Sequence, residues 1–535
     1  MKFKILDCTL RDGGFHTKWD FNNELVDSYI NSVNQLKIDE LEIGFRFTEK
    51  EGWLGKFAYT TEETLEEFEL RSDLNVGVMI FSGEFVDNGE LDKELLKKIF
   101  PFKKDKSRID FVRIATYLPE LEFAILIAKF LNNLGYHASL HLMKIHNTTE
   151  LEFTNIAKKA EVNKIDRVYF ADSLGSMFPN DIQRVVASIK KEYSGPIGLH
   201  AHNNLGLAFI NSVAAIDCGA TWVDGTLTGI GRGPGNTKLE ELLFHYFEND
   251  DKYNDNLIKL LEDHFYPIQN KYGWGSNPFY FLAGKYNIHP SYLQDMIEND
   301  KFDRKDILSF LMNYQNLDKE SYNPEIEDTG YIHYSKLVNG NFDVNKLTDK
   351  KEVLIIGSGD TVKNNKNDIE LFIRKFKPLV FQLNKGEIID ENLIDYNLYC
   401  HPQTIKYENN NIKNPKNNTI IPPNSIDYDV KNKKVKFYGL QVEKEKFSTN
   451  STNCVTPNSL VLSYALAIAS ASENTNIYLA GIDGYLNNQN KNNEISTTLE
   501  LYKNHYDEKK LTSITPTIFS ISQVSPHKLL RDISK

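Results

Sequence analysis

The feature that most constrains this chain is an eightfold alternation in its first half. Short runs of β-forming residues recur at 4–10 (KILDCTL), 40–45 (ELEIGF), 75–80 (NVGVMI), 111–117 (FVRIATY), 137–143 (HASLHLM), 167–173 (RVYFADS), 196–203 (PIGLHAHN) and 222–227 (WVDGTL). Between them lie segments such as 120–134, 204–217 and 237–248, whose apolar residues repeat at i, i+3, i+4. That is the period of a helix covering a sheet. Eight strand–helix units in about 250 residues predict an α/β chain built on a TIM (β/α)8 barrel. An open doubly wound sheet is the rival. The even count, and polar residues at the C-terminal ends of nearly every strand, favour the barrel.

Beyond the barrel (1–254) the pattern turns helical and aromatic over 255–345, punctuated by Pro267, Pro278 and Pro290. This predicts a helical extension packed on the barrel, with 340–352 as a linker. A second unit, 350–535, opens with VLIIGSGDTV (353–362), a buried strand running into a glycine turn and then a helix (368–376). Further short strands at 378–383, 397–401, 435–442 and 476–483, with a helix at 459–471, predict a Rossmann-like α/β domain. Across all 535 residues, 62 Lys+Arg against 74 Asp+Glu give a net charge of −12. That balance argues against a partner in nucleic acid. Cys8, Cys218, Cys400 and Cys454 are widely separated with no CxxC, so neither a zinc knuckle nor a disulfide framework is expected. The N-terminus is broken by Asp7, Arg11 and Asp12 where a signal peptide would be apolar, and no apolar run is long enough to span a bilayer. A cytoplasmic protein is expected, with no membrane partner.

The strongest chemical constellation joins DCTLRDGG (7–14) to HAH (200–202). Residues i and i+2 of a strand share a face, so His200 and His202 point the same way. At the C-terminal end of a barrel strand that face is the mouth. Two imidazoles there make a platform for a divalent metal, and Asp12 is the natural carboxylate to complete it. GIGRGPGN (229–236) adds a glycine loop that brings backbone close to a ligand, with Gly231 and Gly233 as substrate-binding candidates and Asn236 as a neutral oxygen for the metal.

Together these motifs resemble those of a known family. LDCTLRDGG, LEIGF (41–45), YFADSLGSMFP (169–179), GLHAHNNLGLA (198–208) and GIGRGPGNTKLEELL (229–243) look like the signatures of the DRE-TIM metallolyases, the barrel aldolases, lyases and acyl transferases. The resemblance covers about residues 1–250 and is closest to the aldolase-type members. It implies Asp12, His200 and His202 as metal ligands with Asn236 as a fourth, and Mn2+ or Mg2+, with Zn2+ or Co2+ as alternatives. It implies Arg11 as the group that stabilises an enolate oxygen, with Glu42 near the reacting centre and Asp172 as the family's strand-six aspartate; a helix N-cap or buried paired carboxylate is the alternative for each. Family aldolases place a histidine shortly after RDG; here GGFHTKWDF puts His16 one position later. His16 is nevertheless the candidate acid–base group. Arg113 and Lys144, near the ends of strands four and five, are candidates to bind a substrate carboxylate or phosphate, with salt-bridged strand-end residues as the equal alternative. His141 reads as a packed core or surface histidine.

The expected activity is a metal-dependent aldolase or lyase that makes or breaks a C–C bond beside the enolate of a 2-oxo acid. Pyruvate and an aldehyde are the expected substrates, and a homo-oligomer the expected assembly. Acyl transferases of the family carry RDGEQ, whereas Gly14–Phe15 stand here, which favours aldol over Claisen chemistry. The alternatives are an acyl-CoA transferase, which would release CoA, and a non-catalytic barrel scaffolding the second domain. In that domain GSGDT (357–361) makes Gly357 and Gly359 candidates for a nucleotide or phosphate ligand, although the motif lacks the third glycine of a dinucleotide fingerprint.

Overall fold

The structure is a computed structural model. It describes residues 3–50, 52–247, 251–298, scattered positions between 302 and 311, 334, 336–347, 352–386, 388–425, 432–471, 476–485, 489–506 and 510–533. Described residues through Asp295 belong to one compact unit and those from Met296 onward to a second.

Eight parallel strands close the first unit into a barrel: β1 (Lys4–Asp7), β2 (Glu40–Phe45), β3 (Asn75–Phe81), β4 (Phe111–Thr116), β5 (His137–Leu142), β6 (Arg167–Asp172), β7 (Ile197–Ala201) and β8 (Trp222–Gly225). Closure runs through β1, where Lys4 pairs with Trp222 and Leu6 with Glu40. Every residue of β2, β4, β7 and β8 is buried, as expected of strands covered on both faces. The rival open sheet is thereby excluded for this unit.

The covering helices follow the apolar spacing. The helix over Leu121–Asn133 buries Leu121, Ala124, Ile125, Ala128 and Leu131. The one over Glu150–Val162 starts at a reciprocal cap between Thr149 and Glu152. RDGGFHT, just beyond β1, is itself helical, within α1 (Thr9–Thr17). In the extension, helices at Pro278–Lys285 and Pro290–Glu298 begin on the prolines, where a missing N–H is tolerated. Asn277 caps the first of these by accepting the Phe279 and Tyr280 amides.

The second unit is an eight-stranded, all-parallel sheet: β9 (Glu352–Ile356), β10 (Leu379–Leu383), β11 (Tyr396–Leu398), β12 (Asn418–Ile421), β13 (Val435–Phe437), β14 (Asn476–Ala480), β15 (Lys510–Ser513) and β16 (Ser522–Gln523). Its order is β13-β12-β11-β10-β9-β14-β15-β16, so strand order reverses between β9 and β14. The run 435–442 divides: Gly439–Val442 leaves the large sheet and joins a small three-stranded one. Residues 340–344, read as linker, hydrogen-bond into this unit through Gly340 N–H to Thr452 O and Phe342 N–H to Phe437 O, both 2.9 Å. Among the described residues no helix is long and apolar enough to cross a membrane.

Candidate active site

The C-terminal ends of the barrel strands hold a closed circuit of charge. Arg11 Nη1 donates to Asp12 Oδ1 and Arg11 Nε to Glu42 Oε1, both at 2.6 Å. Arg113 Nε reaches Glu42 Oε2 at 2.6 Å, and Arg113 Nη1 reaches Asp224 Oδ2 at 2.6 Å. Asp224 Oδ2 lies 2.9 Å from His200 Nδ1, and His200 Nε2 returns to Asp12 Oδ2 at 3.4 Å. Four β-strands and α1 thus meet through side chains that are nearly solvent-free, Glu42 and Arg113 being 0% exposed. Two buried charges are tolerable only when each is paired and its remaining hydrogen-bonding groups are met, and the circuit does this for Glu42 and Arg113.

The circuit holds the predicted metal ligands together. His200 and His202 project from the end of β7 with ring centroids 5.2 Å apart. Asp12 and Asn236 are hydrogen-bonded to each other through the Asn236 amide. Asn236 Oδ1 and His202 Nδ1 are buried with no hydrogen-bond partner among the described residues. Orphaned acceptors in a cluster of carboxylate, imidazole and amide fit a divalent cation with nitrogen and oxygen ligands. Asp224 fixes His200 from behind, the usual outer support of a metal-bound imidazole. Cys8, Asp12 and His200 also offer ligand atoms within 4.8 Å of one another. Burial, however, holds the Cys8 thiol well above its usual range, and its Sγ faces Gly225 O at 3.7 Å.

Electrostatics divide the histidines. Burial pushes the Asp12 carboxyl up, but Arg11, His200 and His202 outweigh it and hold it well below the usual range. Burial also works against a charged His200, yet its bonds to Asp12 and Asp224 raise it. His202, buried and beside His200, is lowered to about 3 and stays neutral.

These groups line one cavity of about 120 Å³, whose wall includes Arg11, Asp12, His200, His202, Lys144 and Arg232. His141 lies on the same wall, 5.5 Å from His200 between ring centroids, with Nδ1 buried and without a hydrogen-bond partner among the described residues. It is buried, but in the floor of the site rather than in the apolar core. His289, from the extension, also lines the cavity. Neither Asp224, Arg232 nor His289 was singled out by the sequence reading; a strand-end aspartate and an arginine within the glycine loop were the available signals.

Other predicted residues lie elsewhere. His16 is not on this wall: its Nε2 meets Gly231 O at 2.8 Å and its ring packs near Trp274. Successive helical residues are rotated by about 100°. The one-residue offset in GGFH therefore puts Phe15 on the cavity and turns His16 away. Arg113 sits a layer deeper, wholly engaged by Glu42 and Asp224. Asp172 accepts the Ser176 and Met177 amides at 3.0 and 3.2 Å and closes the turn after β6, while burial raises it to about 7. Gly231 backs onto the Asn236 side chain, and Gly233 gives its N–H to Gln294 Oε1 at 3.0 Å.

In the second unit a cavity of about 720 Å³ lies at the reversal between β9 and β14, lined by Gly357, Gly359, Asn384 and Asp483 among others. Such reversals are where α/β sheets bind ligands. The amides of Gly357 and Gly359 are taken by Ala480 O and Gly481 O, at 2.8 and 3.0 Å.

The barrel, its ligand cluster and Arg11 define a metal-dependent lyase, an enzyme acting on carbon–carbon bonds. The HMGL-like family matches residues 120–260. The 4-hydroxy-2-oxovalerate aldolase of Carboxydothermus hydrogenoformans is 33% identical over 245 residues, 45% of this chain and 70% of that protein. The oxaloacetate decarboxylase of Mycobacterium tuberculosis is 27% identical over 241 residues, 45% of this chain and 68% of that one. A solved N-terminal domain from Bacteroides vulgatus is 34% identical, covering 55% of this chain and 96% of its own, with a TM-score of 0.48. The chain belongs to the HMGL-like family, the DRE-TIM metallolyases.

Proposed function

We propose that the barrel makes or cleaves the carbon–carbon bond beside the enolate of a 2-oxo acid, with pyruvate as the enolate component and an aldehyde as its partner. The observation that carries this reading is Arg11 Nη2, which is buried and without a hydrogen-bond partner among the described residues while the same guanidinium is fixed by Asp12 and Glu42. A donor oriented in advance and left unsatisfied suits an oxygen on which negative charge develops. Asp12, His200, His202 and Asn236 would hold the divalent cation. When bound, that cation supplies Lewis acidity toward the carboxylate and keto oxygens of the 2-oxo acid.

The remaining work falls to the chain. Glu42 keeps Arg11 aimed, and Arg113 holds Glu42 in place. His289 exchanges the proton of the aldehyde-derived oxygen. It lines the cavity together with Arg232 and Lys144, whereas His141 packs against His200 with ring centroids 5.5 Å apart. The aldol reading is supported over acyl-CoA condensation by Gly14, since a side chain there would run into the Trp19 indole. The acyl transferases' glutamate has no room at this position.

The test is exchange of pyruvate methyl protons with deuterated water, followed by NMR. Exchange with Mn2+ or Mg2+ that is lost in His200→Ala is the expected result. No exchange with Mn2+, Mg2+, Co2+ or Zn2+ refutes pyruvate as the enolate component.

A further inference from the structure

We infer that the aldehyde partner is an anion, and that its carboxylate or phosphate is held by Arg232 with Lys144 beside it. This rests on the enolate reading above and adds the chemical class of the second substrate.

The cations of the mouth are not equivalent. Arg11 is committed to Asp12 and Glu42, and Arg113 to Glu42 and Asp224. Arg232 makes no ion pair among the described residues; its guanidinium lies on the face of Phe15, 4.0 Å from the ring centroid. An aromatic face orients a guanidinium but does not neutralise it. Asp12, Asp295 and the Tyr117 phenol attract it from beyond ion-pair distance, while Arg11 repels it, and burial works against its charge. A guanidinium does not escape by losing its proton, so its charge stands on the cavity wall and is costly until an anion meets it. Lys144 reaches the same cavity, its ammonium 4.7 Å from the Tyr117 ring centroid.

Position assigns this anion to the acceptor. Arg232 and Lys144 come from the loops after β8 and β5 and line the same cavity as His289, the group proposed to act at the aldehyde oxygen. The enolate's own charge has Arg11 and the Asp12–His200–His202–Asn236 cluster.

The experiment uses the full chain with Mn2+ and pyruvate, and compares aldehydes of matched length. Succinic semialdehyde and glyceraldehyde 3-phosphate are the anionic arms; butyraldehyde and glyceraldehyde are their neutral counterparts. Wild-type kcat/KM is expected to favour one anionic aldehyde at least about tenfold, and which arm wins tells carboxylate from phosphate. Arg232→Met is expected to reduce that preference about 10- to 100-fold, the effect of one charged hydrogen-bonding partner, with Arg232→Lys between the two. Lys144→Met, read by the same ratio, serves if Arg232→Met does not fold. Equal losses for anionic and neutral aldehydes overturn the proposal. So does a rise in the KM for pyruvate as large as that for the aldehyde, which would give Arg232 to the enolate's carboxylate. Wild-type exchange of pyruvate protons without any anionic preference defeats this inference alone, whereas absence of exchange defeats the enolate reading beneath it.

Discussion

Asp224 lies outside the ligand cluster, yet replacing it with asparagine should weaken the metal. One of its oxygens, Oδ2, serves Arg113 Nη1 at 2.6 Å and His200 Nδ1 at 2.9 Å, while Oδ1 is buried with no partner among the described residues. A carboxylate that accepts from Nδ1–H keeps the lone pair of His200 on Nε2, the nitrogen facing Asp12. In Asp224→Asn the amide has two orientations, and both are costly. With its oxygen in the place of Oδ2, both bonds survive but the charge is lost and an NH2 group is buried without an acceptor, a penalty of about 1–3 kcal/mol. With the amide reversed, NH2 faces His200 Nδ1, and the imidazole proton moves to the nitrogen that should bind metal. Loss of such an outer partner weakens metal by about 10- to 100-fold, or about 1.4–2.7 kcal/mol. Mn2+ titration of metal-free protein, read by electron paramagnetic resonance, measures it. An affinity within about twofold of wild type would show that the charge circuit does not support the metal site.

Arg11→Lys puts one ammonium where a fork served Glu42, Asp12 and a free donor, and turnover should fall about 10²- to 10³-fold with folding retained. The pyruvate exchange rate reports it. His289→Gln should lower aldehyde-dependent turnover by about 10²-fold or more, and His16→Gln by less than about tenfold; the reverse ranking returns His16 to the site. Asp7, buried beneath Thr9 and Tyr29, is raised by burial to about 6 despite their hydrogen bonds. The folded state therefore holds a proton that the unfolded chain releases near pH 4. This contribution is fully present below pH 4 and lost as pH rises through 6, about 3 kcal/mol in all. Urea unfolding of wild type relative to Asp7→Asn between pH 4 and 7 should show that loss, and a constant difference would refute it.

The barrel was legible because eight short β-forming runs alternate with segments of helical apolar spacing, which is the pattern of strands covered by helices. HAH was legible because the two-residue period of a strand is rigid. The charge circuit was not: Glu42 and Arg113 are 71 residues apart, and Arg113 and Asp224 are 111 apart. Only closure of the barrel makes them neighbours, so the sequence leaves Arg113 open between an anion-binding and a salt-bridged strand-end residue, and the structure shows it salt-bridged. His289 escaped because it enters from a segment whose sequence announces only helices and prolines. In the second unit, strands of two to four residues such as β12, β15 and β16 fall below the length at which alternation can be recognised.

The helical state of α1 has a consequence for how this enzyme can change over generations. Trp19 Nε1 donates to Arg11 O at 2.8 Å and ties the far end of the motif to its beginning. An inserted or deleted residue between Asp12 and Trp19 would swing one end by about 100° against the other and break that tie. Variation in this stretch is therefore confined to substitution at fixed length. The choice of which side chain meets the substrate is made at position 15, by replacing the phenylalanine, and not by sliding the histidine at 16 toward it.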